Sequence, residues 1–117
     1  MRLAGKTLRY AMEVFEPGFK ASFSSCLEEI KNLLDTMGRI HDCDVNIPRL
    51  QAFLKELRMF NRSRDDVQDR IATSALTRLI REESALRRGL FTEMTSVLEQ
   101  WERSNFTATL LLSMKTD

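Results

Sequence analysis

"FKASFSSCLEEIKNLLDTMGRIHDCDV", residues Phe19 to Val45, passes from a regular apolar rhythm into a cluster of unusual polar residues. Phe19, Phe23, Cys26, Ile30, Leu33, Leu34 and Met37 recur three and four apart, the repeat of one buried face of an α-helix. The spacing predicts an amphipathic helix from about Lys20 to Met37. Gly38 then reads as its cap or as a point of close packing. "RIHDCDV", Arg39 to Val45, follows at once and reads as a helix end or a short joint. It holds the chain's only histidine beside two carboxylates and a cysteine. Four uses are open to it: a metal site, a catalytic pair, a polar joint between helices, or part of a site for an anion.

Towards the N-terminus, residues 2–15 contain no helix breaker after Gly5 until Pro17-Gly18, which predicts a helix that stops there. At about 100° per residue, Leu3, Thr7, Tyr10, Ala11, Val14 and Phe15 spread over one broad face, the face expected to be buried. Arg2, Lys6, Arg9 and Glu13 fall within about 60° of one another on the other side, a basic line along the helix's back. Towards the C-terminus, a third helix is expected from about Ile47. Asn46 or Asp44 would cap it, Pro48 suits its first turn, and Leu50, Phe53, Leu54, Leu57 and Phe60 supply its apolar face. "NRSRDD", 61–66, is a polar break. From about Asp66 to Glu102 there is no proline and one glycine, Gly89. Val67, Ile71, Ala75, Leu79, Leu86, Leu90, Met94, Val97, Leu98 and Trp101 trace one stripe there, as one long helix or two broken near Gly89. "FTATLLLSM" forms a last short helix after a break at Ser104-Asn105. The class is all-α, most simply an antiparallel four-helix bundle with long C-terminal helices.

The bulk numbers agree. A chain of 117 residues fits a single domain, 1–117, and four Gly with two Pro in that length favour helices. A net charge of +1 draws the protein to neither nucleic acid nor membrane, so any anion site comes from local arrangement. The longest apolar run, Leu110 to Leu112, is far too short to span a bilayer, and no signal-peptide pattern opens the chain. Cys26 and Cys43 form no metal or redox spacing, and a reduced, cytoplasmic setting is the expectation.

One histidine argues against a metal-dependent phosphohydrolase, whose His-Asp dyad needs further histidines elsewhere. Cys43 lies two residues from His41 with no third group to orient the imidazole, which argues against a nucleophilic pair. Asp42 or Asp44 serving only to cap a helix remains open, as does a solvated basic face on the first helix. Arg49, Lys55, Arg58, Arg62 and Arg64 form a second basic group, read as a solvated face, the alternative being a widening of the anion surface.

The two features together resemble a known family. "GKTLRYAMEVF", 5–15, followed about 25 residues later by "LLDTMGRIHDCDV", 33–45, is similar to the K-x-L-R-Y-x-x-E-x-F and L-G-x-x-H-D-x-D-V segments of the CHAD domain, the conserved histidine α-helical domain. Met37-Gly38 stands at the Leu-Gly position. The resemblance covers positions 1–57 closely, and "VLEQWERSNF", 97–106, looks like the family's closing helix. It implies a helical domain of two similar four-helix bundles around a basic channel, acting as a non-enzymatic binding module for inorganic polyphosphate. The chain's length suits one bundle, the C-terminal half-domain, so the implied partners are polyphosphate and either a homodimer mate or a missing N-terminal half-domain.

Carried over, Arg2, Lys6 and Arg9 match the basic positions of the channel helix and His41 the family's histidine, with Arg39 beside it. Tyr10 matches the tyrosine after the arginine, and Asp42 and Asp44 the acidic positions that hold basic side chains in place. No catalytic residue, cofactor or metal ligand is expected, nor any membrane or specific nucleic-acid partner, and polyphosphate granules are the implied location. The chemistry suits such a ligand. A polyphosphate carries a line of charges, and the 2-6-9 spacing offers about one cation per helical turn. Arginine adds forked hydrogen bonds to phosphate oxygens, lysine a mobile point charge, and a histidine binds an anion better once protonated. The alternatives are a helical scaffold or dimerisation half-domain without ligand, and a metal-dependent phosphohydrolase.

Overall fold

The computed structural model describes residues 1–115. Four α-helices follow in order: α1, Arg2–Phe15; α2, Ala21–Arg62; α3, Ser74–Ser104; and α4, Phe106–Ser113. Short 3-10 turns at Glu16–Gly18 and Val67–Asp69 punctuate the links, and among the described residues there is no strand. The all-α class therefore holds.

The largest departure from the sequence reading is α2, which runs 42 residues without a break. Two helices separated by a joint at "RIHDCDV" had been expected; the segment is instead mid-helix, and neither Gly38 nor Asn46 caps anything. Local cost and apolar spacing explain this. A helix-interior glycine costs about 1 kcal/mol, whereas Ile40, Cys43 and Leu54, all buried, carry the three-and-four rhythm of the preceding turns straight through the segment. Pro48 also lies inside the helix rather than in a first turn. It leaves the Asp44 carbonyl without its helical partner, a defect of about 3 kcal/mol that the packing on either side must outweigh.

The chain divides into two compact units, to which α2 and α3 both contribute. The first comprises Met1–Gly38 and the residues from Leu90 onward. All four helices meet in it. Met12 of α1 and Phe23, Cys26, Leu27, Ile30 and Leu34 of α2 are buried together, with Phe19, Met37, Trp101, Phe106 and Leu110 packed against them. Trp101 and Phe106 stack at 4.2 Å between ring centroids, across the turn where Asn105 takes a left-handed conformation (φ 52°) and accepts a hydrogen bond from the Ala108 N–H. Asparagine tolerates that conformation at low cost, which is why α4 can begin there.

Helix α1 packs the other way round from the expectation. Its inward side is the narrow Gly5–Met12 stripe, with Met12 buried. A Cβ on Gly5 would come within 2.8 Å of the Leu34 side chain, so the glycine is what lets α1 approach α2 so closely. Leu3, Tyr10, Val14 and Phe15, expected inside, are exposed.

The second unit, Arg39–Gly89, is a helical hairpin. Ile40, Cys43 and Leu54 are buried, while Phe53 and Phe60 of the expected apolar face are exposed. Residues expected to begin a helix at Asp66 form a turn instead. Asp66 accepts from the Gln68 N–H at 3.0 Å, and the Asn61 amide clamps Ile71 with two hydrogen bonds of 2.8 Å. Helix α3 then starts at Ser74 and passes Gly89 unbroken. Leu79 and Leu86 of its predicted stripe are exposed.

Candidate functional site

The basic line of α1 exists as a ridge. Arg2, Lys6 and Arg9 are each half-buried along the helix, flanking its packed stripe. Arg9 Nε donates to Glu13 Oε1 at 3.1 Å, one turn on. The same oxygen receives Lys31 Nζ of α2 at 3.7 Å. Glu13 is therefore shared by two cations, and Lys31 joins the ridge from a second helix. Among the described residues Arg2 and Lys6 pair with no carboxylate within 4 Å. Four cations thus line adjacent flanks of α1 and α2 with one carboxylate among them, and Tyr10, exposed, continues the Arg2–Lys6 ridge by one further turn.

The histidine segment lies in the other unit, so the two groups of predicted site residues are best taken each by itself. Continuous helix has a direct consequence here. Residues two apart point about 160° away from each other around the axis, so Arg39 and His41 occupy opposite sides of α2, as do His41 and Cys43. Both Arg39 and His41 are exposed, while Cys43 is buried. The two therefore project in different directions from one continuous helix, not from a joint. A Cys43–His41 nucleophilic pair is ruled out on the same geometry.

Cys43 Sγ instead donates to Glu83 Oε2 of α3 at 3.4 Å. Burial pushes its thiol pKa up, and Glu83 followed by Asp44 and Asp42 push it further, the reverse of what an activated thiolate needs. Asp44 accepts from Arg87 Nε at 2.5 Å, and that contact holds the guanidinium's pKa above its usual value. Asp44 thus braces an arginine of α3. Asp42 is exposed on the side of α2 that carries Arg39, one turn away. Among the described residues no group of three or more His, Cys, Asp or Glu is arranged to hold a metal ion.

Two residues of this arrangement escaped the sequence reading. Lys31 lies next to the buried Ile30 and gives no motif signal; only the seating of α1 on α2 brings it to Glu13. Arg87 falls on α3 opposite Asp44, a pairing that depends on the register of two long helices. Two clefts of the first unit offer a phosphate little. One, of about 370 Å³, is apolar, lined by Gly5, Leu8, Leu34, Met37, Trp101 and Leu110 among others. The other, of about 200 Å³, carries Glu29 and Glu93, which repel anions.

Comparison with known proteins locates the signal in the first part of the chain. Residues 1–51 match the CHAD domain family model. No curated protein and no solved structure matches the chain. The match runs from α1 through the histidine segment of α2 and makes that part of the chain similar to a CHAD domain.

Proposed function

We propose that the chain binds inorganic polyphosphate, without catalysing a reaction on it, along the α1 ridge. CHAD domains are associated with polyphosphate binding in general. The observation that carries the proposal here is the pair Arg2 and Lys6, one turn apart and unpaired with any carboxylate among the described residues, beside Arg9 and Lys31. A ridge rather than a pocket suits a linear ligand with a charge at each phosphate. Each added cation contributes electrostatically and needs no enclosure, so affinity falls steeply with salt, as for other polyanions. Recruitment to polyphosphate granules follows from such binding.

Calorimetric titration with polyphosphate at low salt tests this. Arg2→Ala with Lys6→Ala leaves the Glu13 network intact and is expected to weaken binding tenfold or more, with a shallower salt dependence. Unchanged affinity in that double variant overturns the assignment. A second reading, a helical half-domain that pairs without ligand, draws on the exposed apolar side of α1.

A further inference from the structure

Helix α1 exposes the wrong side of itself for an isolated protein. Leu3 is 78% and Val14 75% exposed, with Tyr10 at 58% and Phe15 at 60%. Leu3, Thr7, Tyr10, Ala11 and Val14 form one continuous strip along the outer side, and Phe15 with the 44%-exposed Leu8 widens it. Burial of Met12 and the tight seat of Gly5 on Leu34 fix this orientation, because rotating the strip inward would drive a bulky side chain into Leu34. Together these side chains expose on the order of 600 Å² of apolar surface, close to the roughly 800 Å² per partner of a stable interface.

The charges flanking the strip are unevenly placed. Arg2 and Lys6 lie in the N-terminal half of α1 and Glu13 in the C-terminal half. A second α1 laid antiparallel against the first meets this pattern with its complement. When residue 3 of one helix stands level with residue 14 of the other, Leu3 meets Val14, Thr7 meets Tyr10, and Glu13 of one chain lies between the levels of Arg2 and Lys6 of the other. Macrodipoles also oppose in that arrangement. A parallel pair turns the two charged flanks to opposite sides, so Arg2 and Lys6 of one chain meet no Glu13 of the other.

We infer that α1 is a self-pairing helix: two copies of the chain associate through the Leu3–Tyr10–Val14 strip with their α1 helices antiparallel. The two-fold axis of such a pair runs perpendicular to both helices, so both Arg2–Lys6–Arg9 ridges emerge on one side. That last consequence rests on the polyphosphate proposal, whereas the pairing itself does not.

Sedimentation velocity of the full chain over a wide concentration range, without polyphosphate, reads the pairing alone. A monomer–dimer equilibrium is expected, and a monomer at every concentration overturns the inference. Leu3→Glu and Val14→Lys, each at a solvent-exposed position, are expected to weaken the dimer at least tenfold while the circular dichroism of the helices stays unchanged. A dimer indifferent to both substitutions overturns the interface. Combining the two tests the direction. In an antiparallel pair the introduced charges face their opposites and the dimer returns, whereas a parallel pair sets like against like. Failure of the double variant to recover overturns the antiparallel register.

Discussion

The four-helix unit and the hairpin unit share two long helices, yet they are held by different chemistry. In the first, Phe23 and Leu27 are each only 1% exposed, and side chains from all four helices surround them. In the second, few side chains are fully buried, and the contacts that register α2 against α3 are polar: Cys43 with Glu83, and Asp44 with Arg87. Charge divides along the same line. The hairpin, 39–89, carries eleven Lys and Arg against eight Asp and Glu, while the rest of the chain carries seven against nine. A near-neutral total therefore conceals a basic unit and an acidic one, and the α1 ridge lies in the acidic one. Proximity to the ligand there depends on local pairing, not on the field of the unit.

The sharpest way to break this contrast is to remove the aromatic centre of the four-helix unit. Phe23→Ala is expected to cost about 3–5 kcal/mol, read as a large fall in the urea midpoint with unchanged slope. A loss below about 1 kcal/mol would mean that Phe23 is less enclosed than its burial indicates, and the contrast between an apolar unit and a polar-registered one would fail.

Next comes a change of opposite sign in the hairpin. Pro48→Ala restores a helical N–H for the Asp44 carbonyl and removes the ring clash, so the protein is expected to gain roughly 1–3 kcal/mol. A loss of stability would show that Pro48 holds a bend the hairpin requires.

Pro48 also marks where the sequence ceased to be a sufficient guide. The helix content, the α1 limits and the α4 break at Asn105 were all legible, because each rests on local signals: apolar spacing, a Pro-Gly stop, a residue tolerant of left-handed backbone. The fate of Gly38, Arg39–Val45 and Pro48 was not, because their local preference for a joint is overridden by the apolar rhythm of Ile40, Cys43 and Leu54 against α3. The buried side of α1 was misjudged for a related reason. Apolar periodicity identifies a face that wants burial, but only Gly5's fit against Leu34 reveals which face the rest of the chain can accept. Of the site, the cations of α1 were readable one by one. Their sharing of Glu13 with Lys31, and the Asp44–Arg87 pair, were set by packing between helices.

A smaller effect separates brace from bulk packing in the hairpin. Asp44 and Arg87 are 49% and 38% exposed, so screening limits what their contact contributes. Asp44→Asn is expected to cost about 0.5–1 kcal/mol in low salt and less in high salt. A loss several times larger, insensitive to salt, would make Asp44 a packing residue and erase the polar character assigned to the hairpin.

The two cysteines carry the comparison down to its finest level, since each unit buries one. Cys26 has its thiol pKa raised first by burial and then by Glu29, with a hydrogen bond from the Ser113 side acting in the opposite direction. Cys43 is raised by burial and then by Glu83, Asp44 and Asp42, all in the same sense. A raised thiol pKa means that folding favours the protonated form. The associated stability is whole below the free-thiol pKa of about 8.5 and is lost as pH rises through the folded values. Unfolding midpoints should therefore decline on the alkaline side, and replacing both cysteines with alanine should flatten that part of the decline. Alkylation at about pH 8 distinguishes the units. Both thiols react slowly in the folded protein, but Glu83→Gln speeds the reaction at Cys43 and leaves Cys26 unchanged. Equal rates at Cys43 before and after that substitution would reduce its protection to burial alone, and the hairpin would then owe the reluctance of its cysteine to the same cause as the four-helix unit.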